Sequence, residues 1–399
     1  MTARGVENRS GARIHAIVLT CNRPETLRRC IASVLTSLGP EDMLTILDDS
    51  VPAISSVNAA FLATTASVSS PTRLHFLSSH AREIVCSSVS GSALFWLSKT
   101  GPRDIAPLRN LSMLLSLAAS AETTVLIDDD IHGFDLLATH NRISELARGR
   151  RGVIAGAEIG GINEQDTVTR LGDAINMLEK RPRAEKAQSI RDLFEVPPSS
   201  HSGIGSDTRY VSAGYLAFRL PPEQMFCFPP GYNEDWLWGL LHRSNSHMRI
   251  LRFAEKVVHD PPAVLRPTRD DLLFELAGDL VFECLEEELG GNDLNPEEVL
   301  TALSSRLPRP AYMPSARAVE LLAKARSSSQ NGIDLSVIEE YGLDVLADML
   351  RAGDLKMDGR AVLTDWCGDA IAKHKSFAET LQDERAIVAV KTMMQEGRD

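Results

Sequence analysis

The stretch Thr123-Thr124-Val125-Leu126-Ile127-Asp128-Asp129-Asp130 constrains this chain more than any other. A short apolar run rich in β-branched residues stops abruptly at three carboxylates. That is the pattern of a buried strand delivering acids to the rim of a sheet. Side chains alternate along a strand, so Asp128 and Asp130 are expected to point the same way. Two such carboxylates suit a hard divalent cation, Mg²⁺ or Mn²⁺, that also holds phosphate oxygens. The competing reading makes Asp130 a cap for a helix starting near Gly133, a task one Asp could perform alone.

The neighbouring segments repeat the strand pattern. Ile14–Thr20 reads as a buried strand, followed by the turn Cys21-Asn22-Arg23-Pro24, with Pro24 suited to the first position of a helix. In that helix Leu27, Cys30, Ile31, Val34, Leu35 and Leu38 fall on one face. Met43–Leu47 is the next strand and runs into Asp48-Asp49-Ser50. A β-α-β unit with acids at the second strand's end is the opening of an open, mostly parallel α/β sheet flanked by helices. Beyond it we expect a helix near 53–66, a strand at 73–77, mixed structure to Lys99 and a break at Gly101-Pro102. A one-sided helix through Leu108, Leu111, Leu114, Leu115 and Ala118 carries Arg109-Asn110. After the acidic strand come a helix around 134–148, a strand at 153–157, and a long Pro/Ser/Gly-rich loop at 181–208. A strand at 210–218, a turn at Pro229–Tyr232, a helix from Asn233-Glu234-Asp235, and two strands at 249–253 and 256–258 follow, the last leading to His259-Asp260-Pro261-Pro262.

From about Arg266 the strand signals stop and acidic helical patterns take over, punctuated by Gly290-Gly291-Asn292 and Pro308-Arg309-Pro310. A 399-residue chain is long for one domain. The division expected is a flexible tail at 1–13, an α/β domain at 14–265 and an all-helical domain at 266–399. The net charge of −12 argues against general nucleic-acid binding and against docking on an anionic membrane. Cys21, Cys30, Cys86, Cys227, Cys284 and Cys367 contain no C-x-x-C pair, which fits a reducing cytosol rather than a disulfide framework or zinc site. No segment approaches the roughly 18–20 apolar residues of a membrane span. A cytoplasmic protein is the expectation.

Six pieces in one order resemble the family 2-type glycosyltransferases of GT-A fold. They are the opening strand and turn Ile17–Leu27, the acidic end Leu47-Asp48-Asp49-Ser50, and the pair Arg109-Asn110. The others are the D-x-D-like Asp128-Asp129-Asp130, the acceptor-side segment Ser212-Ala213-Gly214 with Phe218-Arg219, and the E-D-like Asn233-Glu234-Asp235-Trp236. The likeness covers about 14–262. It departs from the family after the second strand, where Asp-Asp-Gly-Ser is usual and the glycine is missing here.

The resemblance implies a metal-dependent transfer of a sugar from a nucleotide-diphosphate donor, a UDP-sugar by preference, with inversion. It implies that Thr20, Asn22 and Arg23 contact base or ribose, and that Asp49, or else Asp48, accepts from a uracil or guanine N–H. Arg109 with Asn110 would hold phosphate or support the acidic strand. Asp128 and Asp129 would serve the donor; Asp128, Asp130 and His259 would hold Mn²⁺ or Mg²⁺. Asp235 would be the general base, with Glu234 orienting the acceptor or the neighbouring backbone. The acceptor stays open between a glycan, a lipid-linked sugar, a peptide and a small molecule. The resemblance leaves the helical region unexplained; from the loss of strand signals after about Arg266 it is expected to pack on the α/β domain and serve acceptor choice or self-association. A retaining transferase and a non-catalytic nucleotide-sugar binder or scaffold remain the alternatives. His15, Tyr215, Tyr232, Trp236 and Trp238 read equally or better as packing residues.

Overall fold

The computed structural model describes residues 13–69, 73–79, 96–97, 104–148, 152–162, 166–180, 189–196, 211–243, 248–261, 265–289, 296–308 and 314–396. The expectations for residues 1–12, Cys86, 80–95, 98–103, most of 181–208, Tyr210, Pro262, 290–292 and 309–310 fall outside these residues.

The parallel half of the sheet forms where the apolar runs predict it. Strands β1 (Ile14–Thr20), β2 (Met43–Asp48), β3 (Arg73–Ser78) and β4 (Thr123–Asp128) lie in the order β3-β2-β1-β4. Val18 pairs with Ile46 on one side and Ile127 on the other. Every residue of β1 is buried because both faces are covered, which is why the strand is apolar throughout rather than alternating. Ile17 and Leu19 enter one core, and Ala16 and Val18 enter the other. Helices α1 (Pro24–Ser37), α2 (Pro52–Ser69), α3 (Ala106–Ala119) and α4 (Leu136–Leu146) complete this half. Asp135, not Asp130, caps α4, accepting from the Ala138 amide at 3.0 Å.

The second half is mixed. It contains β5 (Ile131–His132), β6 (Gly152–Ile162), β7 (Glu195–Val196), β8 (Tyr215–Arg219) and β9 (Met248–His259), with the order continuing β4-β8-β6-β9-β5. β8 runs antiparallel to both neighbours, so β6 and β9 again run with β4. The two strands expected at 249–253 and 256–258 are one. Gly156 pairs with Arg252 and Glu158 with Lys256, so β9 spends two more residues than β6 over that interval and stays in the sheet through the irregularity. Helices α5 (Thr167–Lys180), which the sequence reading passed over, α6 (Ile190–Phe194) and α7 (Glu234–Arg243) belong here.

Beyond β9 come α8 (Arg269–Glu288), α9 (Pro296–Ser304), α10 (Pro314–Gln330), α11 (Ser336–Ile338), α12 (Asp344–Ala352), α13 (Gly359–Gln382) and α14 (Glu384–Glu396). α8 opens with a capping box between Thr268 and Asp271. The change of texture near 266 marks where strands stop but not where the core stops. Leu280, Val281, Leu363 and Met393 share one buried cluster with Ile17, Leu114, Leu126 and Trp238. A third cluster joins Leu171 and Ile175 of α5 to Leu276, Leu321 and Leu346. Cys21, Cys30, Cys227, Cys284 and Cys367 are thiols, all but Cys21 buried. No helix among the described residues is long and apolar enough to cross a membrane.

Candidate active site

Sheet order brings the acids together. The ends of β2, β1 and β4 lie side by side: Thr20 pairs with Asp48, and Leu19 pairs with Asp128. The strand geometry ends at Asp128, and the next two residues turn, so the expected alternation of Asp128 and Asp130 is not kept. Asp129 and Asp130 instead share Arg23, whose Nη1 donates to Asp130 Oδ2 at 2.5 Å and to Asp129 Oδ1 at 3.3 Å. Thr20 Oγ1 also donates to Asp129 Oδ2, at 2.5 Å. Asp128 faces Arg109, with Nη2 3.5 Å from its Oδ2.

Burial pushes the Asp129 carboxyl up to about 6, against the pull of Thr20 and Arg23 and with the help of neighbouring Asp130. Burial acts upward on Asp130 too, but His259 and Arg23 outweigh it and hold this carboxyl below the usual range. His259 comes from the end of β9, which pairs with Ile131 and brings Nε2 to 3.4 Å from Asp130 Oδ2. The Asp260 amide donates to the Asp130 carbonyl at 2.9 Å, fixing the same junction. Arg29, at 3.0 Å, and Arg191 both hold the Asp260 carboxylate.

The metal expectation is therefore revised. Asp128, Asp130 and His259 do not converge as three ligands, and among the described residues no three His, Cys, Asp or Glu side chains are grouped to hold a metal. The backbone turns at 129–130, and the two carboxylates take different partners, Asp128 facing Arg109 and Asp130 bound to Arg23. The donor pair that remains is the Asp130 carboxylate facing the His259 imidazole, and there Asp130 Oδ2 is shared with Arg23 Nη1. Two protein ligands suffice where phosphate oxygens and water complete the shell of Mg²⁺ or Mn²⁺.

The β1 and β2 turns are locked to each other. Asn22 has φ +57°, a left-handed conformation that Asn tolerates better than most residues. Its amide donates to Ser50 Oγ at 2.7 Å, and its Oδ1 accepts from the Val51 amide at 2.9 Å. Asp48 is buried; its carboxylate accepts from the Ser50 amide at 2.9 Å and from Asn58 Nδ2 at 3.2 Å. Asp48 and the Asn22 carboxamide oxygen thus build the turn, while Asp49 is half-buried at the rim.

Arg109 gathers the second set of acids. Its side chain is only 6% exposed, yet it donates from Nη1 to Glu234 and lies 3.7 Å from Asp235 Oδ2, in addition to Asp128. Burial raises the Glu234 carboxyl well above the usual range, opposed by Arg109. Glu234 is turned inward on that guanidinium. Asn110 is likewise structural. It is fully buried, its Nδ2 donating to the Phe228 carbonyl at 3.1 Å and its Oδ1 accepting from the Phe228 amide at 2.6 Å. Asp235 keeps a side-chain exposure of 15%, and its two oxygens accept from the amides of Ala213 and Trp236, each at 2.8 Å. The Ser212–Gly214 segment also ties down the other acid, since the Asp128 amide donates to the Gly214 carbonyl at 2.9 Å.

Sequence reasoning missed Ala213 as a backbone donor to Asp235, and Asp260 as the clasp beside His259. Both are long-range contacts with no local signal. The residues read as packing do pack. His15 is fully buried with Nε2 2.8 Å from Thr45 Oγ1, Tyr215 is stacked on Phe134, and Trp238 is stacked on Phe228. A cavity of about 560 Å³, lined by Glu122, Ser144, Arg148 and Arg219, lies beside the start of β4 and so away from the acids.

No protein-family model matches the chain, and no curated protein sequence matches it. Solved structures do. S. aureus TarS 1–349 in complex with UDP-GlcNAc is similar over 89% of this chain and 91% of that one, at 12% identity and a TM-score of 0.43. The same TarS segment in another crystal structure gives 13% identity and a TM-score of 0.42 over the same shares. The mannosyltransferase PcManGT from Pyrobaculum calidifontis, in complex with GDP-Man and Mn²⁺, is similar over 90% of this chain and 85% of that one, at 13% identity and a TM-score of 0.37.

Proposed function

We propose that this chain is a glycosyltransferase moving a sugar from a nucleotide-diphosphate donor to an acceptor hydroxyl or other nucleophile, with inversion. The observation that carries the reading is the convergence of Asp128, Glu234 and Asp235 on Arg109, beside the Asp130–His259 pair. Asp128 ends β4 and His259 ends β9, and the carboxyl ends of strands are where open α/β sheets take their ligands. The fold alone would host many activities, so the reading rests on these residues.

Each side chain has a distinct task. Asp235 accepts the proton of the acceptor hydroxyl as that oxygen attacks the anomeric carbon. The bond to the diphosphate breaks on the opposite face, and its electron pair leaves with the nucleoside diphosphate. Arg23, 39% exposed beside Asp129 and Asp130, is assigned to the incoming diphosphate. Arg109 keeps Glu234 and Asp235 compensated in a site largely shielded from water. Asp130 and His259 would hold Mn²⁺ or Mg²⁺, which when bound supplies positive charge for the departing diphosphate. Asp49 is the acid at the base slot and accepts from a uracil or guanine N–H.

The test is a thermal-shift series with UDP, GDP and their sugar conjugates, with and without Mn²⁺. A ligand that binds the native state raises its melting temperature by mass action. Stabilisation by one nucleotide, together with a product of inverted anomeric configuration, is the expected result. No response to any nucleoside diphosphate would sink the proposal.

A further inference from the structure

The candidate base is approached by the C-terminal helices as well as by the sheet. Asn233, the residue before Glu234, has φ +60°, and its carbonyl accepts the Leu237 amide at 2.9 Å to start α7. Asn233 Nδ2 donates to Asp279 Oδ1 of α8 at 2.8 Å. One position earlier, Gly278 lies flat against Tyr232. A Cβ at that glycine would stand 2.6 Å from the Tyr232 carbonyl oxygen and 2.8 Å from the Tyr232 Cβ. Trp366 of α13 donates from Nε1 to the Pro230 carbonyl at 2.6 Å. Residues 230–233, which lead directly into Glu234-Asp235, are therefore gripped by α8 and α13.

We infer that α8 is a positioning element for Asp235, acting through the Asn233–Asp279 hydrogen bond. A left-handed residue at the start of a helix is a pivot: small changes in its dihedral angles swing the first turn that carries the carboxylate. Asp279 and the Gly278–Tyr232 contact remove that freedom from outside the sheet. The inference rests on the reading of Asp235 as base, and it gives the helical region a part other than acceptor choice or self-association.

Hydrogen exchange on the full chain tests it without needing turnover. Asp279→Ala removes the acceptor for Asn233, whereas Asp279→Asn retains a carbonyl oxygen there. The Ala213 and Trp236 amides, which donate to Asp235, are expected to exchange roughly tenfold faster in Asp279→Ala. β1 and β4 should be unchanged, and Asp279→Asn should behave close to wild type. With a donor in hand, kcat should fall about tenfold with donor KM unchanged, and Asp279→Asn should restore most of it. Unaltered exchange at those two amides, or faster exchange throughout the chain, overturns the inference. Should Asp279→Ala not fold, Gly278→Ala, which pushes on Tyr232, decides by the same two amides. Full turnover in Asp235→Asn would instead remove the base assignment and leave the exchange result standing.

Discussion

The Arg109 guanidinium lies 3.7 Å from the Asp235 carboxylate while also binding Glu234 and reaching Asp128 at 3.5 Å. One buried cation thus joins the start of α7 to the end of β4. Arg109→Ala leaves buried carboxylates uncompensated and is expected to cost about 3–5 kcal/mol, read by urea denaturation. Arg109→Lys keeps the charge but loses the planar fork. It should fold and bind nucleotide within a few-fold of wild type, with turnover down by about tenfold or more. Wild-type stability in Arg109→Ala would contradict the convergence described.

Asp235→Asn keeps size and hydrogen-bonding shape but cannot take a proton. Near-normal stability and donor affinity are expected, with turnover lowered by at least about 10²-fold. Steady-state kinetics beside a calorimetric titration with donor nucleotide separates this from a helix-start defect, which would cost only about 1 kcal/mol of stability.

Asp130→Ala and His259→Ala should each abolish the Mn²⁺-dependent part of the nucleotide thermal shift. His259→Ala should weaken Mn²⁺ more than Mg²⁺, because imidazole suits the softer ion. Undiminished activity in excess chelator would remove the metal from the mechanism.

A chain ending after Thr268 should not yield a stable monomer. It would expose the face that Leu280, Val281, Leu363 and Met393 cover around Ile17 and Leu126, and large exposed apolar surfaces associate. Light scattering and circular dichroism of the truncated protein check this. A folded, soluble monomer would show that the shared core is dispensable.

Acid should weaken the fold through buried histidines. Burial lowers His15 to about 3 and His242 and His374 to about 4, against about 6.5 in an unfolded chain. The unfolded state therefore binds more protons between those values. Their stabilising contribution is complete above pH 6.5 and is lost as pH falls toward 4 and then 3. Each such group adds a slope of up to about 1.4 kcal/mol per pH unit. The raised Asp129 and Glu234 carboxyls act with the opposite sign over this range, so denaturant titrations of wild type and His15→Gln at pH 7.5, 6 and 5 are compared, and the wild type should lose more stability on acidification than His15→Gln. An unchanged slope in His15→Gln would mean His15 does not titrate as described.

The acid-tipped strand, the β-α-β opening and the helical C-terminal region were all legible in the residues alone. Burial on both faces writes itself as a continuous apolar run, and one-sided burial writes itself as a helical period, so Ile14–Thr20, Met43–Asp48 and the α1 face could be read locally. Asp128, Asp130, Asp235 and His259 could be nominated because an acid or imidazole at a strand or helix end is a local feature. Their partners could not. Only the order of strands sets Asp130 against His259, and only the packing of α3 under the sheet sets Arg109 among Asp128, Glu234 and Asp235. The turn at 129–130, which puts both Asp129 and Asp130 on Arg23, is settled by where β-pairing ends. Asp279 reaches Asn233 across 46 positions of chain, a contact that exists because apolar helix faces are non-directional in what they bury and only the closed core selects which faces meet.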